Sequence, residues 1–298
     1  MKLLYVFAFI LLMLPSCSKE ELDYNAEPII EHVVFIGIDG WDVTSYFNAE
    51  IPTIKFMKEN GAWTLNKQSV FPTSSGPNWV SMFTGLCVEQ HGYTQWGSLV
   101  PDIKTPYQDE DGHIRTIFSE IRTNKPNSEI GCFFEWNTIR YYIDTLSVNC
   151  YKQVDQAVPT KLSEVTVDYI KTKKPTVCAV IFDQLDHTGH LQGWDTEAYY
   201  SKLSELDGYI SQIVKAVKDS DMYDSTVFII TSDHGGINKQ HGNITENEML
   251  APLIVYGPKI QKGEIHEPVM QFDIASLILS LFDIEQPSSY VGHKLSIL

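Results

Sequence analysis

The run "STVFIITSD", Ser225 to Asp233, sets the apolar block Val227 to Ile230 directly ahead of a hydroxyl pair and an aspartate. Continuous apolarity, rather than alternation with polar residues, is what a strand needs when both of its faces are buried in a parallel sheet. Four further runs read the same way: "HVVFIGID" (His32 to Asp39), "EIGCFFEW" (Glu129 to Trp136), "TVCAVIFDQ" (Thr176 to Gln184) and "APLIVYG" (Ala251 to Gly257). Helical patterns lie between them at Ile51 to Asn60, Pro77 to Thr84, His113 to Arg122, Thr160 to Lys173, Thr196 to Lys218 and Gln271 to Phe282. Strand and helix in alternation predict an α/β fold around a mostly parallel sheet.

A chain of 298 residues, 43% hydrophobic and 20% charged, is long enough for one large domain and shows no compositional sign of disorder. Lys2 and the apolar run Leu3 to Leu14 are expected to form a signal peptide over residues 1–16, too short for a good membrane span. The following Leu14-Pro15-Ser16-Cys17 resembles a bacterial lipobox. That resemblance implies lipidation of Cys17, a tether over 17–28, a single domain over 29–298, and an exported protein held on a membrane at the periplasmic or cell-surface side. An ordinary secretory signal is the alternative. The formal net charge of −16 disfavours a nucleic-acid polymer as partner, and nothing in the sequence names a protein partner. Among the remaining cysteines, Cys132 and Cys150 flank one aromatic-rich segment and are the candidate disulfide for an exported chain. Cys178, inside "TVCAVIF", reads as a buried thiol.

A parallel sheet collects ligand groups at the carboxyl ends of its strands. Asp39 ends the first run, Asp183 and Asp186 close the third, and Asp233 with His234 ends the fourth. Three distant segments therefore bring carboxylates to one edge. In "LDHTGHLQG", Asp186 and His190 stand four apart around Gly189, expected to let a loop fold tightly round an ion, and "KQHGN" adds His241. Imidazole and carboxylate together suit zinc.

The collinear order of "IDG" at 38–40, "PTSSGPN" at 72–78, "TG" at 84–85, "HG" at 91–92, "LDHTGH" at 185–190, "SDHGG" at 232–236 and "HG" at 241–242 resembles the alkaline phosphatase superfamily. Within it, the pattern is similar to that of the type I phosphodiesterase/nucleotide pyrophosphatase family. The resemblance implies a three-layer α/β sandwich and a hydrolase of phosphodiester or pyrophosphate bonds in a small phosphate ester. It implies two divalent ions, zinc by ligand chemistry, one held by Asp39, Ser75, Asp233 and His234 and the other by Asp186, His190 and His241. It also answers which of Thr73, Ser74 and Ser75 reacts: family members carry the nucleophile two residues before the proline, which is Ser75. Pro77 suits the first turn of the following helix, so Ser75 and Gly76 are expected at its anion-attracting mouth, with Gly76 admitting a phosphate. A serine is a weak nucleophile until activated, and a covalent phosphoserine is expected. His187 and Asp183 are expected in supporting or structural roles, and Asn78 in a structural one.

The sequence departs from the family in places. Trp96 stands where an asparagine is expected to hold a phosphoryl oxygen, leaving Gln95 as the nearest amide, and Trp41 and Asp42 replace an expected arginine after "DG". A phosphomonoesterase or a sulfatase of the same superfamily is an alternative, although Trp79 occupies the place of the sulfatase arginine. The rival from another class is a non-catalytic surface-binding lipoprotein. The aromatic segment Phe133 to Leu146 reads as sheet core and cover.

Overall fold

The computed structural model describes residues 29–108 and 113–298; the expected signal peptide, Cys17 and the tether lie outside them. Chain order runs β1 (His32–Ile38), α1 (Val43–Asn48), α2 (Pro52–Asn60), β2 (Ala62–Gln68), α3 (Ser75–Thr84), α4 (Val88–His91), α5 (Ile117–Asn124), β3 (Ile130–Phe134) and β4 (Cys150–Gln153). It continues through α6 (Lys161–Lys173), β5 (Val177–Phe182), α7 (Gln184–Gln192), α8 (Glu197–Asp219), β6 (Thr226–Thr231), α9 (Glu246–Met249), β7 (Leu250–Tyr256), β8 (Gly263–Glu264) and α10 (Asp273–Leu281).

The strands form one sheet in the order β4-β3-β5-β1-β6-β7-β2-β8. Pairing is parallel from β4 to β6, while β7 runs antiparallel to both β6 and β2. The run at 251–257 was expected as one more parallel strand; its apolarity reports burial on both faces and carries no information about direction. Along β1, Val33 and Phe35 point to a layer with α3, α5 and α10, while Val34, Ile36 and Ile38 point to a layer with α2, α6 and α8. The sandwich therefore has three layers, as the resemblance implied. Strand β2 lacks the continuous apolar signature, because "AWTLNKQ" alternates and carries a lysine. No helix of the described residues is long and apolar enough to cross a membrane.

Two expectations need correction. Residues 184–192 form the helix α7 rather than an ion-wrapping loop. Gly189 is required there for packing, since a Cβ would fall 2.6 Å from the Trp194 indole. Cys132 and Cys150 form no disulfide. In the β3–β4 register Cys150 sits opposite Gly131, so Cys132, one residue on, points to the other face: Cys132 packs with the α3 layer and Cys150 with the α6 layer. Side chains on opposite faces of a sheet cannot bridge without backbone movement. Alkylation of the denatured, unreduced protein followed by peptide mass spectrometry is expected to find both residues as free thiols; a linked peptide pair would contradict the register.

Candidate metal centre and nucleophile

The central strands β5, β1 and β6 lie side by side and end together, which sets Asp39, Asp183 and Asp233 at one sheet edge. Helix α7 starts directly after β5 and carries Asp186 in its first turn and His190 one turn later. Two clusters result, Asp39 with Asp233 and His234, and Asp186 with His190 and His241, each with ligand atoms within 4.8 Å of one another. They bring together the Asp and His members of the two sets implied by the resemblance. A third grouping, Asp39 with Asp183 and Asp186, adds Asp183 as a carboxylate within ligand reach, more than the supporting role expected of it.

The three imidazoles are held in one tautomer. His234 Nδ1 faces the Gly235 carbonyl at 2.8 Å, His241 Nδ1 the Thr73 carbonyl at 2.8 Å and His190 Nδ1 the Lys239 carbonyl at 3.0 Å. A carbonyl only accepts, so each Nδ1 carries the proton and each Nε2 presents a lone pair. Those lone pairs point at other acceptors: His234 Nε2 lies 3.3 Å from Asp233 and 3.6 Å from Asp39, and His190 Nε2 and His241 Nε2 lie 3.4 and 3.6 Å from Asp186. The two imidazole Nε2 atoms of the second cluster stand 3.1 Å apart. Asp186 Oδ1 and Asp233 Oδ2 are buried with no hydrogen-bond partner. Acceptors facing acceptors at these distances need a shared proton or a cation between them, and the donor set fits divalent cations.

The electrostatics agree. Burial, then repulsion from Asp233, Asp186 and Asp183, pushes the Asp39 carboxyl well above its usual value. Burial, then Asp183 and Asp233, does the same to Asp186. Burial raises Asp233 and Asp183 as well, the latter with help from Glu135. His234 and His241 are pushed down to about 3 by burial, which keeps them neutral and ready to ligate.

Ser75 is the first residue of α3, so its N–H and that of Gly76 have no partner within the helix. Its hydroxyl lies 3.2 Å from His234 Nε2 and 3.5 Å from Asp39 Oδ1. The neighbouring hydroxyls are placed otherwise. Thr73 Oγ1 donates to the Asn243 carbonyl and accepts the Gly242 N–H, tying the His241 loop down, and Ser74 makes no side-chain cap. Asn78 accepts the Val70 N–H and donates to the Pro72 and Ser74 carbonyls, which shapes the turn ahead of Ser75. Trp79 donates its indole N–H to Asp39 Oδ2 at 2.9 Å, occupying the place of the sulfatase arginine with a neutral donor. Trp41 is core, and Asp42 caps α1, which accounts for the pair that replaces the family arginine.

A cavity of about 480 Å³ opens over Ser75, lined by Ser74, Trp96, Trp136, Asp183, Asp186, His187, His190 and His241. Trp96 and Trp136 stack at 6.1 Å and form one wall. Gln95 is not in that lining: its side chain is exposed with its amide toward Thr94, because its main chain is packed against α3 instead. The same packing reassigns Gly76. A Cβ there would fall 2.4 Å from the Gln95 carbonyl oxygen and 2.8 Å from the Tyr142 hydroxyl, so the protein, not a phosphate, fills the space over its Cα. Trp136 belongs to the segment read as core and cover, and nothing in its run distinguished it from its buried neighbours Phe133 and Phe134. Lys67 was also missed. Fully buried on β2, it donates to the Ser232 carbonyl at 2.8 Å and to Gln271, whose amide N–H meets the Asp233 carbonyl at 2.9 Å. Burial pushes its pKa down to about 7.

Residues 33–252 match the sequence profile of the family described as Type I phosphodiesterase / nucleotide pyrophosphatase. The chain belongs to that family. It is 22% identical over 90% of its length to rat ectonucleotide pyrophosphatase/phosphodiesterase family member 1, and 23% identical over 82% to the Xenopus laevis bis(5'-adenosyl)-triphosphatase. A 103-residue stretch, 33% of the chain, is 31% identical to zebrafish arylsulfatase K. The chain spans 31%, 55% and 20% of these three relatives. Among solved structures, murine ectonucleotide pyrophosphatase/phosphodiesterase 5 in complex with AMP shares the fold at a TM-score of 0.71 and 16% identity, covering 89% of this chain and 97% of that one. A 2-O glycosaminoglycan sulfatase shares it at 0.71 and 15%, covering 89% and 73%.

The raised carboxyl pKa values have a measurable consequence. Carboxyls held at about 6 (Asp233) and about 7 (Asp183), against 3.8 for an ordinary aspartate, bind protons more tightly in the folded than in the unfolded chain. Rising pH between about 4 and about 7 therefore costs the chelated protein stability, whereas bound cations displace those protons and gain affinity. The difference in melting temperature between zinc-loaded and chelated protein is expected to widen steadily from pH 5 to pH 7.5; a constant or shrinking gap would show that zinc displaces no protons from these carboxyls, and no gap at any pH that the cluster does not bind zinc.

Proposed function

We propose that this chain hydrolyses phosphodiester or pyrophosphate bonds in small molecules, with Ser75 as nucleophile and two divalent ions held by Asp39, Ser75, Asp233 and His234 and by Asp186, His190 and His241. The observation that supports this reading best is the position of the Ser75 hydroxyl, at the mouth of a helix, beside the first ligand set and on the cavity that the second set also lines. The imidazole–carboxylate donor sets favour zinc as the ion. When bound, such ions lower the pKa of a serine hydroxyl and stabilise negative charge on phosphoryl oxygens. Asp39 and His234 aim the Ser75 oxygen at phosphorus, and the first N–H groups of α3 receive a non-bridging oxygen. The serine oxygen forms its bond to phosphorus as the bond to the leaving oxygen breaks, and a water then releases the phosphoryl group from Ser75.

Charge and shape narrow the substrate. Among the described residues the cavity wall carries no lysine or arginine and does carry Asp183, so a diester monoanion is favoured over a monoester dianion. The stacked Trp96 and Trp136 offer a flat apolar face to the group attached to the phosphate. With Trp79 where a sulfatase has its arginine, sulfate esters are disfavoured.

With aryl phosphodiester, phosphomonoester and sulfate substrates matched in leaving group, at saturating zinc, diester turnover is expected to lead. Ser75→Ala should lower kcat by about a thousandfold or more, and Thr73→Ala and Ser74→Ala by far less. A monoester preferred tenfold would overturn the diester assignment, and an active Ser75→Ala variant the nucleophile. The run from Leu3 to Cys17 further supports an exported protein anchored by lipid on Cys17. Wild type should then fractionate with membranes and Cys17→Ser should not; wild type found wholly in the soluble fraction would count against the anchor.

A further inference from the structure

Helix α7 delivers two ligands of the Asp186, His190 and His241 set, yet it lacks a cap of its own. Asp183, at its N-cap, makes no side-chain cap bond and sits in a helical rather than an extended conformation. Its first N–H groups still require acceptors. Glu135 supplies them from another strand: just past β3, its Oε2 accepts the N–H of Asp183 at 2.7 Å and of Gln184 at 3.3 Å, while Oε1 accepts the Gln184 side-chain amide. Gln184 is secured in turn by the Pro159 carbonyl at 3.1 Å and Lys202 at 3.2 Å. The main chain of Glu135 is fixed to both neighbouring strands, its N–H donating to the Ile181 carbonyl and its carbonyl accepting the Gln153 amide.

The choice of a carboxylate is informative. Glu135 is 3% exposed and shares its end of the sheet with Asp39, Asp183, Asp186 and Asp233, where another negative charge is unfavourable. An acceptor-only group is nevertheless what three converging N–H donors require, and a negative charge complements the helix N-terminus. A glutamine of the same shape would have to turn one N–H donor toward another. Asp186 lies three residues from this cap and His190 one turn beyond it, so a slip at the cap moves both ligands together, whereas Asp39, Asp233 and His234 are carried by β1 and the end of β6.

Resting on the two-ion reading above, we infer that Glu135 is a positioning residue that sets the register of α7 and thereby the affinity of the Asp186, His190 and His241 ion alone. Zinc titration of the chelated protein against a competing chelator, with the bound metal counted by elemental analysis, tests this. Wild type should take two ions. Glu135→Gln should hold the second ion about tenfold or more weakly, in the range found when groups that orient metal ligands are removed, while the first stays within about threefold. Its isotherm should approach that of His190→Ala, which lacks a ligand of the same set. Gln184→Ala, which leaves the two main-chain bonds intact, should shift the second ion in the same direction by a smaller factor and serves if Glu135→Gln does not fold. Thr116→Ala removes the cap of α5, outside the metal sites, and should leave both affinities unchanged whatever it does to the melting temperature. Equal affinities in Glu135→Gln and wild type, or equal weakening of both ions, overturns the inference. A wild type that binds fewer than two ions overturns the two-ion reading itself.

Discussion

Like charge forced together away from water is the constraint on which this structure turns. Asp39, Asp183 and Asp186 place carboxylate oxygens within 4.8 Å of one another, with Asp233 beside Asp39 in the adjoining cluster. At an effective dielectric of about 20, each pair of ionised carboxylates at such a distance repels by roughly 3 to 4 kcal/mol. The protein opposes this with few cations of its own. Lys67 stands behind Asp233, and the hydrogen-bond donors on Asp39 and Asp233 are neutral: the Trp79 indole, the Gly40 N–H and the hydroxyls of Ser75 and Ser232. The imidazole tautomers leave lone pairs facing the same carboxylates, a donor arrangement that fits a metal-binding cluster.

The rest of the fold holds these charges in place against their repulsion. Lys67, Gln271 and Ser69 fasten the carbonyls of Ser232 and Asp233, which carry the turn that presents His234. Thr73 clasps the His241 loop to the segment that leads into Ser75, so the proposed nucleophile and the His241 cluster share one support. His91 is in the opposite tautomer: its Nδ1 accepts the Tyr93 N–H and its Nε2 donates to Ser81 on α3. It is a tie on α3, kept neutral by burial that pushes it down to about 3. The glutamate at position 135 does for α7 what these groups do for the other segments.

The diester preference proposed above rests on what the cavity wall omits as much as on what it contains. Among the described residues its lining has a carboxylate at 183 and no lysine or arginine, and two stacked indoles provide an apolar face. The carbonyls of Gln95 and Trp96 pack against Gly76, and the Gln95 side chain is exposed outside the cavity lining.

By itself the sequence predicted an α/β fold around a mostly parallel sheet with Asp39, Asp183 and Asp233 at the strand ends, because continuous apolar runs followed by Asp are local signals; the three layers and the proposed roles of Ser75, His190 and His241 rest on the resemblance of the motif order to the family. Asn78 was expected to be structural, and the structure shows it in the first turn of α3, where its side chain bonds back to Val70, Pro72 and Ser74. Only the tertiary structure decided the direction of β7, because burial on both faces looks alike in either direction. It decided the helical state of residues 184–192, where the motif reads as a loop but Trp194 against Gly189 and Glu135 at the cap stabilise a helix. It separated Cys132 from Cys150, since a one-residue offset in register turns a side chain to the opposite face. It also revealed Lys67, Trp136 and Glu135, which lie apart in sequence from the groups they serve; their roles come from long-range contacts that leave no periodic trace in the chain.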